Sequence, residues 1–121
     1  FVIGGQYKRM KTDTIASYRH IPLFYFETFE DFYKSLPMES KLIGIELAEN
    51  SIPISDFKHP NQAVYLLGSE LKGLSEDAKN HCDQIVQLPG KLSLNVSVAG
   101  SIVMYDRLMK QDIVSKMKEK V

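Results

Sequence analysis

Cysteine is nearly absent from this chain: Cys82 is the single one in 121 residues. One thiol cannot make an internal disulfide, and a reducing, cytoplasmic setting is the default expectation. Its neighbour His81 does not supply ligand spacing, so no metal site is expected. An excess of charge of either sign is also lacking. Lys and Arg number 15, Asp and Glu number 15, and the formal net charge is zero. A free-standing RNA-binding domain is usually basic. Composition therefore carries no nucleic-acid signal, and such a surface has to be a local patch or be supplied by another part of the protein. Long apolar runs are missing too. The longest, such as Ala63 to Leu67, fall far short of the ~20 residues that cross a bilayer. No charged start followed by a long apolar stretch marks a signal peptide.

What is present is ordinary for a globular protein: 44% hydrophobic and 25% charged residues. The length suggests one domain, residues 1–121, able to bury a core without disulfides or metals. The chain starts at Phe1, and Phe1 to Ile3 reads as a buried strand ending at Gly4-Gly5. A natural domain seldom starts inside a strand, so a preceding segment is expected.

Lys8 to Lys11 forms a small basic cluster, and Thr12 to Ser17 reads as a short helical turn. The aromatic run Leu23 to Phe26 reads as a strand. Thr28 offers an N-cap, with Asp31 at the capping-box position. Phe29, Phe32, Tyr33 and Leu36 share one helical face, and Pro37 stops the helix. Lys41 to Leu47 reads as a strand, and Ser51 to Pro60 as a polar connection. Ala63 to Leu67 is the strongest buried-strand signal, and Gly68 halts it. Ser75 caps a short helix to His81, and Gln84 to Leu88 gives a last strand before Pro89-Gly90. Asn95 to Met109 outlines a long helix, and Gln111 to Val121 continues as a Lys-rich helical tail. Apolar strands alternating with helices predict an α/β fold with a mainly parallel sheet and flanking helices.

Two segments stand out. In Leu66-Leu67-Gly68-Ser69-Glu70-Leu71-Lys72-Gly73-Leu74 a buried strand runs into a loop with glycines at 68 and 73. Glycine lets the backbone approach a ligand, and ligands of parallel α/β folds lie beyond the carboxyl ends of strands. By this reading a side chain at position 68 would intrude on the ligand. An ordinary strand-to-helix turn is the plainer alternative, and spacing alone favours it. The second segment is Leu88-Pro89-Gly90-Lys91-Leu92-Ser93-Leu94-Asn95-Val96-Ser97-Val98-Ala99-Gly100. Helix starts have unbonded N–H groups that suit polar ligands, but spacing alone favours Ser93 or Asn95 as a simple N-cap.

Taken together, Gly68-Ser69-Glu70 through Gly73-Leu74, and Pro89 followed by Ser93-Leu94-Asn95-Val96-Ser97-Val98-Ala99, resemble the second and third motifs of the SpoU/TrmH branch of the SPOUT methyltransferases. Cys82-Asp83 ahead of Val86-Gln87-Leu88 is similar as well. The match keeps good register from Leu66 to about Leu108 and extends more weakly back to Phe1, where Lys11 to Pro22 looks like the loop after the family's second strand. The resemblance implies a deep C-terminal trefoil knot and S-adenosyl-L-methionine as cofactor. It implies methylation of a ribose 2′-hydroxyl in tRNA or rRNA by a homodimer, with no metal and no membrane. Leu67, Gly68, Ser69, Leu88 and Leu94 would hold the cofactor, largely through backbone groups. Glu70, Ser93 and Asn95 would stand at the reacting end, Asn95 and Ser93 holding a hydroxyl and Glu70 acting as a base or bonding to loop amides. Family members pair through the C-terminal helix, and here Val98, Ile102, Met104, Tyr105 and Leu108 exceed what one buried stripe needs.

The chain departs from the family in two places. The first motif, an Asn and an Arg on the first helix, has no counterpart and is expected before Phe1, with the first strand and helix. Arg9 and Arg19 fall in a different segment. The loop from Pro89 to Ser93 is shorter than usual and lacks the Met after Pro. The competing readings are a non-catalytic SPOUT-like module that holds RNA or cofactor, and an unrelated α/β scaffold with accidental matches.

Overall fold

The computed structural model describes residues 1–4, 22–69, 72–90 and 95–119. The basic cluster Lys8 to Lys11 and the turn Thr12 to Ser17 lie outside the described residues. The chain divides into two compact units, Phe1–Met38 and Glu39–Val121.

In the first unit β1 (Val2–Ile3) pairs in parallel with β2 (Tyr25–Phe26), and α1 (Phe29–Ser35) follows. The helix starts where the sequence offers a cap: Thr28 Oγ1 accepts from the Asp31 N–H at 3.1 Å. Its apolar face presents Phe32, which is 1% exposed. Phe1 and Phe26 pack on that ring, with centroids 5.5 and 5.6 Å away. Burying a ring of this size contributes about 1.5–3 kcal/mol, so this aromatic cluster serves as the unit's core.

The second unit is built on a four-stranded parallel sheet in the order β4-β6-β3-β5, from β3 (Lys41–Ile45), β4 (Ile52–Pro53), β5 (Ala63–Leu67) and β6 (Gln84–Gln87). The mixed α/β class with parallel sheets agrees with the apolar, non-alternating strands. Strand β3 is central and buried on both faces, as parallel strands are. Ile43 packs with Phe57 and Val86 on one face, bordered by Ile45, Ile52 and Tyr65. Asp83 ties β6 to β3 by exchanging two bonds with Leu42: its carboxylate accepts from the Leu42 N–H, and its own N–H donates to the Leu42 carbonyl, both at 2.8 Å. That explains the Asp ahead of the last strand. Beside it the Cys82 thiol is pushed up to about 11 by burial and by the charge of Asp83, so at neutral pH it stays protonated and donates to the Ala78 carbonyl.

One segment differs from the sequence reading. Within the polar connection Ser51 to Pro60 lies β4, two residues long, followed by a 3-10 turn at Ile54–Asp56. Two residues cannot show a period, and Pro53 masks a strand. It is tolerated because β4 is an edge, where a missing N–H breaks no ladder. The long helix and its tail run on as expected in one element, α3 (Val96–Glu119), because Lys110 and Gln111 contain nothing that stops a helix. The short α2 (Glu76–His81) begins as expected, with Ser75 Oγ accepting from the Ala78 N–H. Among the described residues no helix is long and apolar enough to cross a membrane.

Helix α3 docks first through the buried Ala99 and Val103, then through polar groups one and two turns on. Arg107 donates to the Pro60 and Asn61 carbonyls and to the Tyr65 hydroxyl at 2.8–2.9 Å. Lys110 donates to the Ile54 and Phe57 carbonyls and pairs with Asp106. His59, its side chain 3% exposed, bridges Tyr65 Oη (2.6 Å) and Asp106 Oδ2 (2.7 Å). His59 thus links the Tyr65 hydroxyl, itself bonded by Arg107, to the Asp106 carboxylate.

Burial works to raise the Asp106 carboxyl, but the bonds from Lys110 and His59 and their charges outweigh it and hold it below its usual value. A carboxyl lowered in the folded state stabilises the fold fully above its unfolded value of about 3.9, and that stabilisation is lost as pH falls through the folded value. Asp106→Asn is therefore expected to flatten the acid limb of the stability curve below pH ~4. Urea midpoints measured from neutral pH downward check this.

Candidate functional site

The carboxyl ends of β3, β5 and β6 share one edge of the parallel sheet, and the loops leaving them carry the singled-out segments. β5 ends at Leu67, half-buried, and the chain enters the loop at Gly68. This loop folds back on itself. Ser69 and Gly73 form an antiparallel bridge. The Gly73 N–H donates to the Ser69 carbonyl at 2.8 Å, and the Lys72 N–H to the Ser69 hydroxyl at 3.2 Å. The next amide, Leu74 N–H, donates to Glu46 Oε2 at 2.8 Å. Three successive backbone donors thus find partners within the protein itself.

The closure accounts for both glycines. A Cβ at Gly68 would lie 2.5 Å from the Gly73 carbonyl oxygen, and closer still to the Gly73 carbonyl carbon and the Leu74 nitrogen. The sequence reading assigned that space to a ligand; in the structure the protein's own backbone fills it. Gly73 has φ +65°, a conformation that costs other residues roughly 1–2 kcal/mol, and a side chain there would also collide with Glu46 Oε2.

At the second segment Leu88, half-buried, follows β6, and Pro89 and Gly90 are exposed. Helix α3 starts from Asn95, which is exposed. Asn95 Oδ1 accepts from the Ser97 N–H at 2.8 Å, and its carbonyl accepts from the Ala99 N–H at 2.8 Å. Asn95 is therefore an N-cap, as the plainer reading held; capping does not by itself decide any further role. Glu70, Ser93 and Leu94 lie outside the described residues. Of the remaining predicted site residues, Leu67, Gly68 and Ser69 come together in the closed loop. Leu88 stands at the same sheet edge, on the far side of β3.

Sequence reasoning missed Glu46. A carboxylate inside the apolar run Leu42 to Leu47 was the available signal, since a charge at the end of a buried strand needs a partner. The cluster of His59, Tyr65, Asp106 and Arg107 was missed as well. Its members lie far apart in the chain, and no local pattern connects them.

Comparison with known proteins gives a consistent picture. The model of the SpoU rRNA Methylase family matches residues 4–105. A mouse (Mus musculus) protein, tRNA (guanosine(18)-2'-O)-methyltransferase TARBP1, is 27% identical over an alignment of 73 residues that covers 58% of this chain. The chain spans only 5% of that relative's length. A solved structure described as "Structural insights into the 2-OH methylation of C/U34 on tRNA" superposes with a TM-score of 0.71 at 21% identity. The superposition covers 81% of this chain and 65% of the other, and so it speaks for the fold.

Because the loop closes on its own backbone, Gly68→Ala is expected to destabilise the protein with no ligand present, by at least about 1–3 kcal/mol. Gly100→Ala is the contrast. Its position is helical and a Cβ there meets nothing within 4 Å, so it should stabilise by roughly 0.5–1 kcal/mol. Urea denaturation of the ligand-free protein reads both.

Proposed function

Starting from a chain that belongs to the SpoU rRNA Methylase family, we propose that the protein methylates a ribose 2′-hydroxyl of RNA, with tRNA as substrate and S-adenosyl-L-methionine as methyl donor. The observation that carries this reading is the closed glycine loop at the carboxyl edge of a parallel sheet, lying inside the matched residues. Its chemistry fits the donor: half-buried Leu67 and Leu88 suit an apolar base. The relative and the solved structure, both concerned with tRNA by name, favour tRNA over rRNA.

The donor supplies a methyl group already activated as a sulfonium, so the protein's task is positioning, worth about 7–11 kcal/mol in well-oriented systems. In this reading Leu67, Gly68, Ser69, Leu88 and Leu94 hold the donor. Ser93 and Asn95 orient the ribose hydroxyl, and Glu70 accepts its proton or braces the loop. The deep knot belongs to the same proposal. Helix α3, which follows β6 in the sequence, packs against β5, where Arg107 bonds Tyr65.

A homodimer through α3 completes the reading. Met104, Tyr105 and Leu108 are 61–65% exposed and Val98 is exposed beside them, whereas Ile102 is half-buried. Four apolar side chains in contact with water on one helix face call for a cover. Sedimentation is expected to show a dimer at micromolar concentration and a folded monomer for Tyr105→Lys/Leu108→Lys. A monomeric parent protein would contradict the pairing.

Asn95 offers the sharpest test of the chemistry. Asn95→Asp keeps the oxygen that caps α3 but loses the amide donor. If that donor orients the ribose hydroxyl, single-turnover transfer to tRNA should fall by about a hundredfold, as on removing one preorganised donor, while the melting temperature holds. Full turnover in Asn95→Asp, with loss only in Asn95→Ala alongside a lowered melting temperature, would reduce Asn95 to a cap.

A further inference from the structure

Several constraints on the glycine loop converge on Glu46, a residue with no place in the function described so far. Its backbone N–H donates to the Val86 carbonyl at 3.1 Å, which fixes it one step past β3 and beside β6. Ile45 pairs with Leu67 in register, so Glu46 stands level with the loop entrance at Gly68. Its carboxylate reaches across to the loop exit. Oε2 accepts the Leu74 N–H at 2.8 Å, and Oε1 accepts the Leu47 N–H at 3.2 Å. The carboxylate also occupies the space a side chain at Gly73 would need. Two residues earlier on the same face of β3, Gly44 leaves room for Leu74: a Cβ there would come within 3.1 Å of Leu74 Cδ1. The side chain of Leu74 is thus seated over Gly44 and its amide is held by Glu46. In turn, Gly73 and Leu74 define the space denied to Gly68.

We propose that Glu46 is a positioning residue for methyl transfer, acting through the loop: it clamps Gly73 and Leu74 to the end of β3, so that the backbone at Gly68 and Ser69, which faces them, is set for the methyl donor before the donor arrives. The inference rests on the function proposed above. What it requires of Glu46 is an acceptor oxygen at the right reach; negative charge is not required. Those two properties separate by substitution. Glutamine keeps a carbonyl oxygen at the same distance along the side chain and loses the charge. Aspartate keeps the charge and falls one methylene short of Leu74. Alanine removes both and leaves a buried donor unpaired.

The test uses the full-length protein. Calorimetry measures binding of S-adenosylmethionine and S-adenosylhomocysteine, single-turnover assays measure transfer to unfractionated tRNA, and thermal melts of the ligand-free form report folding. Glu46→Ala and Glu46→Asp are expected to weaken binding of both compounds on the order of tenfold and to slow transfer, whereas Glu46→Gln stays within roughly threefold of the parent protein. The Gln and Asp variants should melt within a degree or two of each other, roughly. The opposite order, with Asp retaining affinity and Gln losing it, would show that charge is the active property and overturn the proposal. Unchanged binding in all variants, or losses that merely track melting temperature, would overturn it as well. The Gln and Asp pair decides the matter even if the Ala variant does not fold. Failure of the unsubstituted protein to bind either compound would remove the proposed function, and the role of Glu46 with it. Normal binding by the parent and by every variant removes only the latter.

Discussion

A loop that turns back on itself in the space between Ser69 and Gly73 can close only if the backbone at its two ends comes into near contact, and that contact organises the carboxyl edge of the sheet. Gly68 and Gly73 lack side chains for reasons internal to the protein. The first faces the backbone of Gly73 and Leu74, the second the carboxylate of Glu46. Glu46 is itself held by β6. Three strands and one loop are thereby fixed to one another through a carboxylate and two absent side chains. A ligand received here meets a surface already ordered, and the entropy of ordering is not charged against its binding.

The other organising contact is polar. Among the described residues of helix α3 only Ala99 and Val103 are buried apolar ones, and further along the helix is held by Arg107, Lys110 and the Tyr65-His59-Asp106 chain. Such a network fixes the helix in one register, because backbone carbonyls at Ile54, Phe57, Pro60 and Asn61 all receive their bonds from it. The polar groups on the docked face leave the apolar ones, Met104, Tyr105 and Leu108, pointing away from the sheet. One helix thus bonds inward by charge and presents hydrocarbon outward, which is the reverse of a surface helix in a lone domain.

Much of this was legible in the sequence. The strand Ala63–Leu67 has the bounds its apolar run suggested, and Thr28 and Ser75 cap the helices they were expected to cap. These features are local, and local chemistry writes itself into adjacent residues. The family resemblance was carried by two short motifs, and the family match spans them both. What escaped was either too short or too distant. Strand β4 has two residues, one of them proline. Glu46 and Leu74, or His59 and Asp106, meet only after the chain has folded. Gly68 was recognised as special, but sequence shows only that a side chain is absent, while the fold shows the backbone of Gly73 and Leu74 standing against it.

The central claim is that the Gly68–Leu74 loop is closed before any ligand binds. Amide hydrogen exchange on the ligand-free protein tests it most directly, followed residue by residue at Gly73 and Leu74. The account predicts that both amides, bonded to Ser69 and Glu46, exchange far more slowly than in an unstructured peptide, and that adding S-adenosylmethionine changes them little. Exchange at unprotected rates without ligand, with protection arising only on binding, would contradict it.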